Sequence, residues 1–201
     1  MTPVKFDIVQ AGNPILRQRA LSLTVEQIRS REIQKLIESM RECMHEAPGV
    51  GLAAPQVGLA LHLAVIEDRE DYHKDVSEAL LQERERKPVP FHVIVNPVLE
   101  EVGDEKAEFF EGCLSLSGFS ALVPRARAVR VSCLDERGEA KVIEASGWYA
   151  RILQHEVDHL NGTLYIDRMR ARSFTTMENL AEFWKGKPVS EVKADLELKS
   201  R

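Results

Sequence analysis

The sequence lacks the features that mark membrane, secreted and nucleic-acid-binding proteins. No apolar run in its 201 residues approaches the roughly 20 residues that a membrane-spanning helix needs. The first residues contain neither a secretory signal nor an Arg- and Ser-rich transit peptide. With 27 Lys and Arg against 32 Asp and Glu, the net charge of −5 argues against broad binding to nucleic acids or anionic membranes. We therefore expect a cytoplasmic protein without a membrane or nucleic-acid role.

Cysteine is also scarce, and its pattern does not suggest a disulfide framework. The three cysteines, Cys43, Cys113 and Cys133, are odd in number and irregular in spacing, which fits a reducing compartment. The chain has no internal repeat and no linker that would divide it. Its length and composition are those of one globular domain. We expect a single domain over residues 1–201, with a charged surface insertion at 67–90 and a polar tail at 185–201.

What the chain does contain is a short helix with clear ends at residues 146–162. Ser146 can cap its first turn, and Asn161 with Gly162 can form the left-handed turn that ends it. Apolar residues recur at helical spacing and predict a buried stripe: Ala150, Leu153, Val157 and Leu160.

The same helix carries the pattern His-Glu-x-x-His. His155 and His159 lie one turn apart, so both imidazoles can bind one metal ion. Glu156 lies beside them, where a general base for a metal-bound water belongs. Histidines at this spacing also occur on solvated faces and in packed cores. A catalytic centre further needs a third protein ligand from elsewhere in the chain.

The remaining elements predict an α+β fold. Thr24 and Gln27 form a capping-box pattern that opens a helix running to about His45. Strands are expected at 61–66, 91–95, 121–134, 140–145 and 164–166, and a further helix at 173–184. We expect antiparallel or mixed sheets packed around the central His-Glu-x-x-His helix, with an N-terminal and a C-terminal helix. The segment 67–90 is expected to be a solvated excursion without a catalytic role.

Two further segments contain residues suited to chemistry. Residues 48–58 are small and apolar except for Gln56, whose buried amide would be either a structural hydrogen-bonder or a donor aimed at a ligand. Cys113 lies in the segment Glu-Gly-Cys-Leu-Ser at 111–115, and its thiolate would suit a borderline-soft divalent metal. Taken alone, Cys113 could equally be one more buried cysteine.

Taken together, three segments resemble the motifs of the peptide deformylase family, in the family's order and spacing. These are Gly-Val-Gly-Leu-Ala-Ala-Pro-Gln-Val-Gly at 49–58, Glu-Gly-Cys-Leu-Ser at 111–115 and His-Glu-x-x-His at 155–159. The resemblance runs from the N-terminal arm to about Arg172 and is closest to the organellar-type branch. Ser117 and Ser120 depart from the commoner bacterial pattern at the rim of the substrate cleft.

The resemblance implies a catalytic domain that removes the formyl group from the formylmethionine of new polypeptides, near the ribosome, and releases formate. Cys113, His155 and His159 would bind Fe²⁺, which Zn²⁺, Ni²⁺ or Co²⁺ can replace, with water in the fourth position. Glu156 would be the general base. The side-chain amide of Gln56 and the backbone N–H of Leu114 would stabilise the oxyanion.

The resemblance also implies a substrate site and a supporting ion pair. The residues expected to contact substrate are Val50, Gly51, Phe109, Gly112, Trp148 and Ile152. Glu111 and Arg125 are expected to pair and orient the site, and Asp158 is expected to be a structural anchor.

Three other functions stay open at this point. A zinc endopeptidase shares the His-Glu-x-x-His pattern but usually recruits His or Glu as its third ligand. A cysteine hydrolase would use Cys113 with His155 and would need no metal. A non-enzymatic metal or peptide-binding module is disfavoured by Glu156, since a structural metal usually has four protein ligands.

Overall fold

The computed structural model describes residues 6–74 and 76–197 of the chain. The first five residues of the N-terminal arm, one residue of the 67–90 segment and the last four of the predicted tail lie outside the described residues.

Six helices are seen in the described residues, two of them long. They are α1 (Val25–Ile28), α2 (Arg31–Glu46), α3 (Glu78–Glu83), α4 (Gly147–Leu160), α5 (Met177–Asn179), which continues as a π-helical turn (Leu180–Trp184), and α6 (Val189–Asp195). Within the described residues, no helix combines the length and the apolarity needed to traverse a bilayer.

Eight strands form two sheets in the described part of the chain. They are β1 (Gly51–Ala53), β2 (Leu63–Asp68), β3 (Val89–Glu101), β4 (Lys106–Cys113), β5 (Leu116–Ala126), β6 (Ala128–Leu134), β7 (Ala140–Ser146) and β8 (Thr175–Thr176). One sheet has the order β1-β2-β3-β6-β7 and the other β4-β5-β8, and neighbouring strands are antiparallel. The predicted α+β class with antiparallel sheets is confirmed.

Helix α4 packs against strands of both sheets because of its apolar stripe. Three of the four predicted stripe residues, Ala150, Leu153 and Leu160, are fully buried, and Val157 is nearly so. They join a core with Ile94 and other sheet residues. Full burial of a leucine-sized side chain contributes about 1.5–3 kcal/mol, so this stripe holds α4 firmly between the sheets.

The N-terminal helical region begins as predicted but is interrupted. Thr24 and Gln27 form the capping box, with Thr24 N donating to Gln27 Oε1 at 2.8 Å. The prediction of one continuous helix to about His45 is wrong, because Ser30 caps a second helix. Its Oγ accepts a hydrogen bond from the N–H of Ile33 at 3.3 Å.

The sequence predicted that this strand ends at residue 95. Strand β3 instead continues through Asn96 and Pro97 to Glu101. Asn96 adopts a positive φ of 51°, and the register of β3 on β6 shifts between Val95 and Val98. This β-bulge interrupts the hydrogen-bond ladder where the proline has no N–H to donate, and the strand then continues.

The C-terminal region differs most from the prediction. Residues 164–166 do not form a strand, because Asp167 Oδ2 accepts from Leu164 N at 2.8 Å and closes a 3₁₀ turn. Residues 185–197 belong to the segment that was expected only as a polar tail, and they include helix α6. Helix α6 buries Val192 to 1% exposure, and Lys193 Nζ lies 3.2 Å from Glu108 Oε2 on β4.

The 67–90 segment is not a simple solvated excursion. Asp68 is fully buried and accepts two hydrogen bonds from Arg86, at 2.8 Å each. This bidentate ion pair ties the two ends of the segment together, a contact between residues 18 positions apart that local patterning does not reveal.

Candidate active site

Three potential metal ligands converge between β4 and α4. Cys113 ends β4, and His155 and His159 project from α4. Cys113 Sγ lies 3.3 Å from His159 Nε2, which lies 3.2 Å from His155 Nε2. Ligands at about 2.0–2.3 Å from one tetrahedral ion are about 3.3–3.6 Å apart, so the three atoms fit a single metal ion.

The two imidazoles are oriented so that their Nε2 atoms meet. His155 Nδ1 lies 3.1 Å from Glu111 Oε2, which leaves Nε2 for the cluster. His159 is buried, and in the described part of the chain its Nδ1 has no hydrogen-bond partner. Burial, and then the charge of His155, lower the pKa of His159 well below its usual value. A lowered pKa favours the neutral imidazole, which is the form that metal ligation requires.

Behind His155 lies a buried network of charges centred on Glu111. Arg125 donates to both carboxylate oxygens of Glu111, at 3.0 and 2.9 Å, and also to Asp158. Arg168 makes a second bidentate pair with Asp158, at 2.7 Å for each bond. The expected Glu111–Arg125 ion pair is present, and Asp158 lies in the network away from the cluster.

The network depresses the pKa of Glu111. Burial alone would raise that pKa, but the hydrogen bond to His155 and the charge of Arg125 hold it well below its usual range. Arg151 also donates to Glu111 and was not anticipated from the sequence. A signal existed, because Arg151 precedes His155 by four positions and so lies on the same helix face.

Glu156 lies buried beside the cluster, with 3% exposure. Burial raises the pKa of its carboxyl to about 7. Its Oε2 has no hydrogen-bond partner among the described residues. The carboxyl fits only because residue 51 is glycine, since a Cβ on Gly51 would lie 2.1 Å from Glu156 Oε1.

The amide of Gln56 is fixed in orientation. Its Oε1 accepts from Ala53 N at 2.9 Å, while its Nε2 donates to Ser115 Oγ at 3.2 Å and lies 3.6 Å from Cys113 Sγ. The donor end thus points at the cluster. Leu114 is held by its carbonyl, which accepts from Gln10 Nε2 at 3.0 Å. The sequence analysis placed Ser115 in a motif but did not anticipate its hydrogen bond to Gln56, nor the contact of Gln10 with Leu114.

A cavity of about 710 Å³ opens onto the cluster. Most of the predicted substrate-contacting residues line it: Val50, Gly51, Gly112, Trp148 and Ile152. Phe109 does not. It is buried against Trp148, with ring centroids 6.3 Å apart, and its neighbour Phe110 lines the cavity instead. Phe109 faces away from this cavity because successive strand residues face opposite sides of a sheet, and its contact with substrate stays a prediction.

The rim of the cavity includes residues that the sequence did not indicate. Phe119 and Met177 both line it, and Met177 comes from the C-terminal segment. Of the two positions that depart from the bacterial pattern, Ser117 lines the cavity. Ser120 is buried, and its Oγ donates to the carbonyl of Glu111 at 2.8 Å.

The fold and the site together define a class: α+β proteins in which a helix-borne His-Glu-x-x-His and a cysteine form a candidate metal centre beside a buried carboxylate, the arrangement of hydrolytic metal sites. The family model described as polypeptide deformylase matches residues 5–174. The chain belongs to the polypeptide deformylase family.

Individual relatives agree with this assignment. Peptide deformylase 1A, chloroplastic, from Solanum lycopersicum is 49% identical over 174 residues, which cover 87% of this chain and 63% of that protein. The chain thus spans less than two thirds of this plant relative. Peptide deformylase 3 from Streptomyces avermitilis is 48% identical over 177 residues, covering 88% of this chain and 77% of that protein.

A solved structure of the family has the same fold. The Met-Ala-Ser-bound class I type b peptide deformylase from Acinetobacter baumannii superposes with a TM-score of 0.74 at 31% identity, covering 84% of this chain and 100% of that one.

Proposed function

We propose that this protein removes the N-terminal formyl group from the formylmethionine of newly synthesised polypeptides and releases formate. The observation that carries the proposal is the meeting of Cys113, His155 and His159 beside the buried carboxyl of Glu156, at the end of a cavity large enough for a peptide end. Family membership supports the same reaction.

Cys113, His155 and His159 would hold a divalent cation, and their donor set of one thiolate and two imidazoles fits the spacing of the three atoms. When bound, the ion supplies Lewis acidity toward the formyl carbonyl and lowers the pKa of water. We propose Fe²⁺ as the native ion, with Zn²⁺, Ni²⁺ or Co²⁺ as substitutes. The affinity order alone would favour zinc, so the assignment of iron rests on the family resemblance.

Glu156 acts as the proton carrier in this proposal. It accepts a proton as water adds to the formyl carbon, and it delivers a proton to the amine as the C–N bond breaks. Its pKa of about 7 places the carboxyl near the pH at which it can both accept and release a proton.

Gln56 and Leu114 stabilise the charge that develops on the formyl oxygen. The Nε2 of Gln56 is directed toward the cluster by the hydrogen bonds at both ends of its amide. The backbone N–H of Leu114 follows directly after Cys113. Preorganised donors of this kind are typically worth about 3 kcal/mol each in the transition state.

The apolar part of the cavity would take the methionine side chain, with Trp148, Ile152 and Val50 as its walls. Gly51 and Gly112 would offer backbone groups to the extended peptide, as in the addition of a strand to a sheet edge. We further propose that the protein acts in the cytoplasm, on nascent chains near the ribosome.

A formate-release assay tests the proposal. Anaerobically purified protein is analysed for metals and then incubated with a formylmethionyl tripeptide. We expect about one iron per chain and stoichiometric release of formate, lost on chelation and restored by Fe²⁺. Because the thiolate of Cys113 is prone to oxidation, we expect the iron-loaded protein to lose its activity in air.

The outcomes separate the alternatives. Cleavage of an internal bond in an N-acetylated peptide, without formate release, would indicate an endopeptidase. Full activity in the presence of chelator would indicate a cysteine hydrolase and would overturn the proposal.

A further inference from the structure

The 67–90 segment reaches the wall of the substrate cavity through its last residues. Glu85 accepts hydrogen bonds from Arg127 and from Ser146 at the start of α4. A Cβ on Gly147 would lie 2.4 Å from Glu85 Cβ and 2.8 Å from the carbonyl oxygen of Arg84. The chain therefore approaches the first turn of α4 so closely that only glycine fits there, at a φ of +60°.

This approach brings two arginines onto the ring of Trp148. The guanidinium carbon of Arg84 lies 4.7 Å from the ring centroid, and that of Arg86 lies 5.5 Å from it. Arg86 is held in place by its bidentate pair with Asp68. Within the described chain Arg84 makes no ion pair, so the aromatic faces of Trp148 and Phe109, the latter at 5.6 Å, are the main partners of its charge.

These contacts surround the Trp148 ring together with Phe109, at 6.3 Å between ring centroids, and Arg151, at 5.9 Å from the indole centroid. The indole Nε1 of Trp148 is buried and has no hydrogen-bond partner among the described residues. A ring without a hydrogen bond is oriented only by what packs around it. The same ring lines the cavity together with Ile152, so a change in its tilt would change the shape of the apolar pocket.

We propose that Arg84 and Arg86 are positioning residues that fix the indole of Trp148 and thereby set the size of the pocket for the first side chain of the substrate. The identity of that side chain as methionine rests on the proposed function. The 67–90 segment thus contributes to side-chain selection without touching the reacting atoms.

The test compares Arg84→Gln, Arg84→Lys and, as a matched control, Arg41→Gln. Arg41 makes a similar contact with Phe91, at 4.2 Å from the ring centroid, and it also pairs with Glu67 at 3.2 Å. Neither Arg41 nor Phe91 lines the cavity. Kinetics are measured on formylmethionyl and formylleucyl tripeptides. Because Arg84→Gln frees the indole to tilt, we expect it to raise KM for the methionyl substrate by at least about threefold, and the energy of a partly desolvated cation–π contact limits the effect to about thirtyfold.

We further expect that kcat changes by less than about twofold, because the cluster and Glu156 are untouched, and that the preference for methionine over leucine falls. Arg84→Lys keeps the cation, so its KM for the methionyl substrate should stay close to the wild-type value. Arg41→Gln should have no effect on KM. Equal KM values for Arg84→Gln and wild type would overturn the inference.

A second readout needs no activity. The chain has two tryptophans, so a Trp184→Phe background isolates the emission of Trp148. In that background, Arg84→Gln should shift the emission to longer wavelength and increase quenching by acrylamide, and unchanged emission would overturn the inference.

If wild type releases no formate, the proposed function fails while this measurement still tests the positioning. If Arg84→Gln does not fold, Arg84→Met, which keeps the length of the side chain but not its charge, carries both readouts, and wild-type values in both would overturn the inference.

Discussion

The two ends of the cavity are held by different kinds of interaction. At the metal end, His155 is fixed by Glu111, and Glu111 is fixed by Arg125, which also donates to Asp158. These are hydrogen bonds of defined direction between buried charges. At the pocket end, the indole nitrogen of Trp148 has no hydrogen-bond partner within the described residues, and the ring is held by aromatic and cation–π contacts. Directional bonds fix atoms to a fraction of an ångström, whereas packing contacts allow a ring to tilt.

The site thus separates two tasks, the placement of the metal ligands and the formation of a pocket for the substrate side chain. Ligand atoms must converge within narrow limits, and the charge network provides that precision. A pocket for a flexible apolar side chain needs only a shape, which packing can supply. Changes at the metal end should therefore affect kcat and metal content, and changes at the pocket end should affect KM.

The largest expected effect comes from Glu156→Gln. The amide keeps the size of the side chain but cannot accept a proton, so we expect kcat to fall by about 10²–10⁴-fold. His155 and His159 are unchanged, and the metal content should stay at the wild-type value. Metal analysis with steady-state kinetics checks both. Loss of the metal together with the rate would instead make Glu156 a ligand and contradict its proposed role.

An intermediate effect is expected for Glu111→Gln. The change leaves Arg125 and Arg151 without their shared carboxylate and weakens the bond that orients His155. We expect metal affinity to fall by about 10–100-fold and the free energy of unfolding by about 3–5 kcal/mol. A competitive chelator titration and denaturant unfolding measure the two quantities.

Glu108→Gln is the matched control for Glu111→Gln. Glu108 pairs with Arg170 and Lys193, away from the cluster, so its loss should lower stability without changing metal affinity. Equal metal affinities for Glu111→Gln and wild type would show that the network does not support the metal end.

The smallest expected effect is the change in KM from Arg84→Gln described above. This variant tests the pocket end of the cavity separately, because it should leave the metal content unaltered. A fall in metal content in this variant would mean that the two ends are not separate.

The sequence predicted those parts of the site that lie within one helix or one short segment. His155, Glu156 and His159 share α4. The apolar stripe of this helix and Gly162, which follows its end at a positive φ, are local signals of a helix. Cys113 could be joined to them only through the family resemblance, because nothing local indicates which strand meets the helix.

What the sequence did not reveal depends on contacts between distant residues. The bulge at Asn96 is stabilised by the backbone of Leu23, 73 positions away. Helix α6 is held by the ion pair of Lys193 with Glu108 on β4, whereas the polar composition of this segment indicated only a tail. Arg84 looked like one charge in a solvated run, because its aromatic partners lie elsewhere in the chain.

X-ray absorption spectroscopy of the metal-loaded protein tests the central claim most directly. The account predicts one sulfur ligand at about 2.3 Å and two imidazole nitrogens at about 2.0–2.1 Å, with the sulfur signal lost in Cys113→Ser. A metal surrounded only by nitrogen and oxygen in the wild-type protein, or a sulfur signal that survives the substitution, would contradict it.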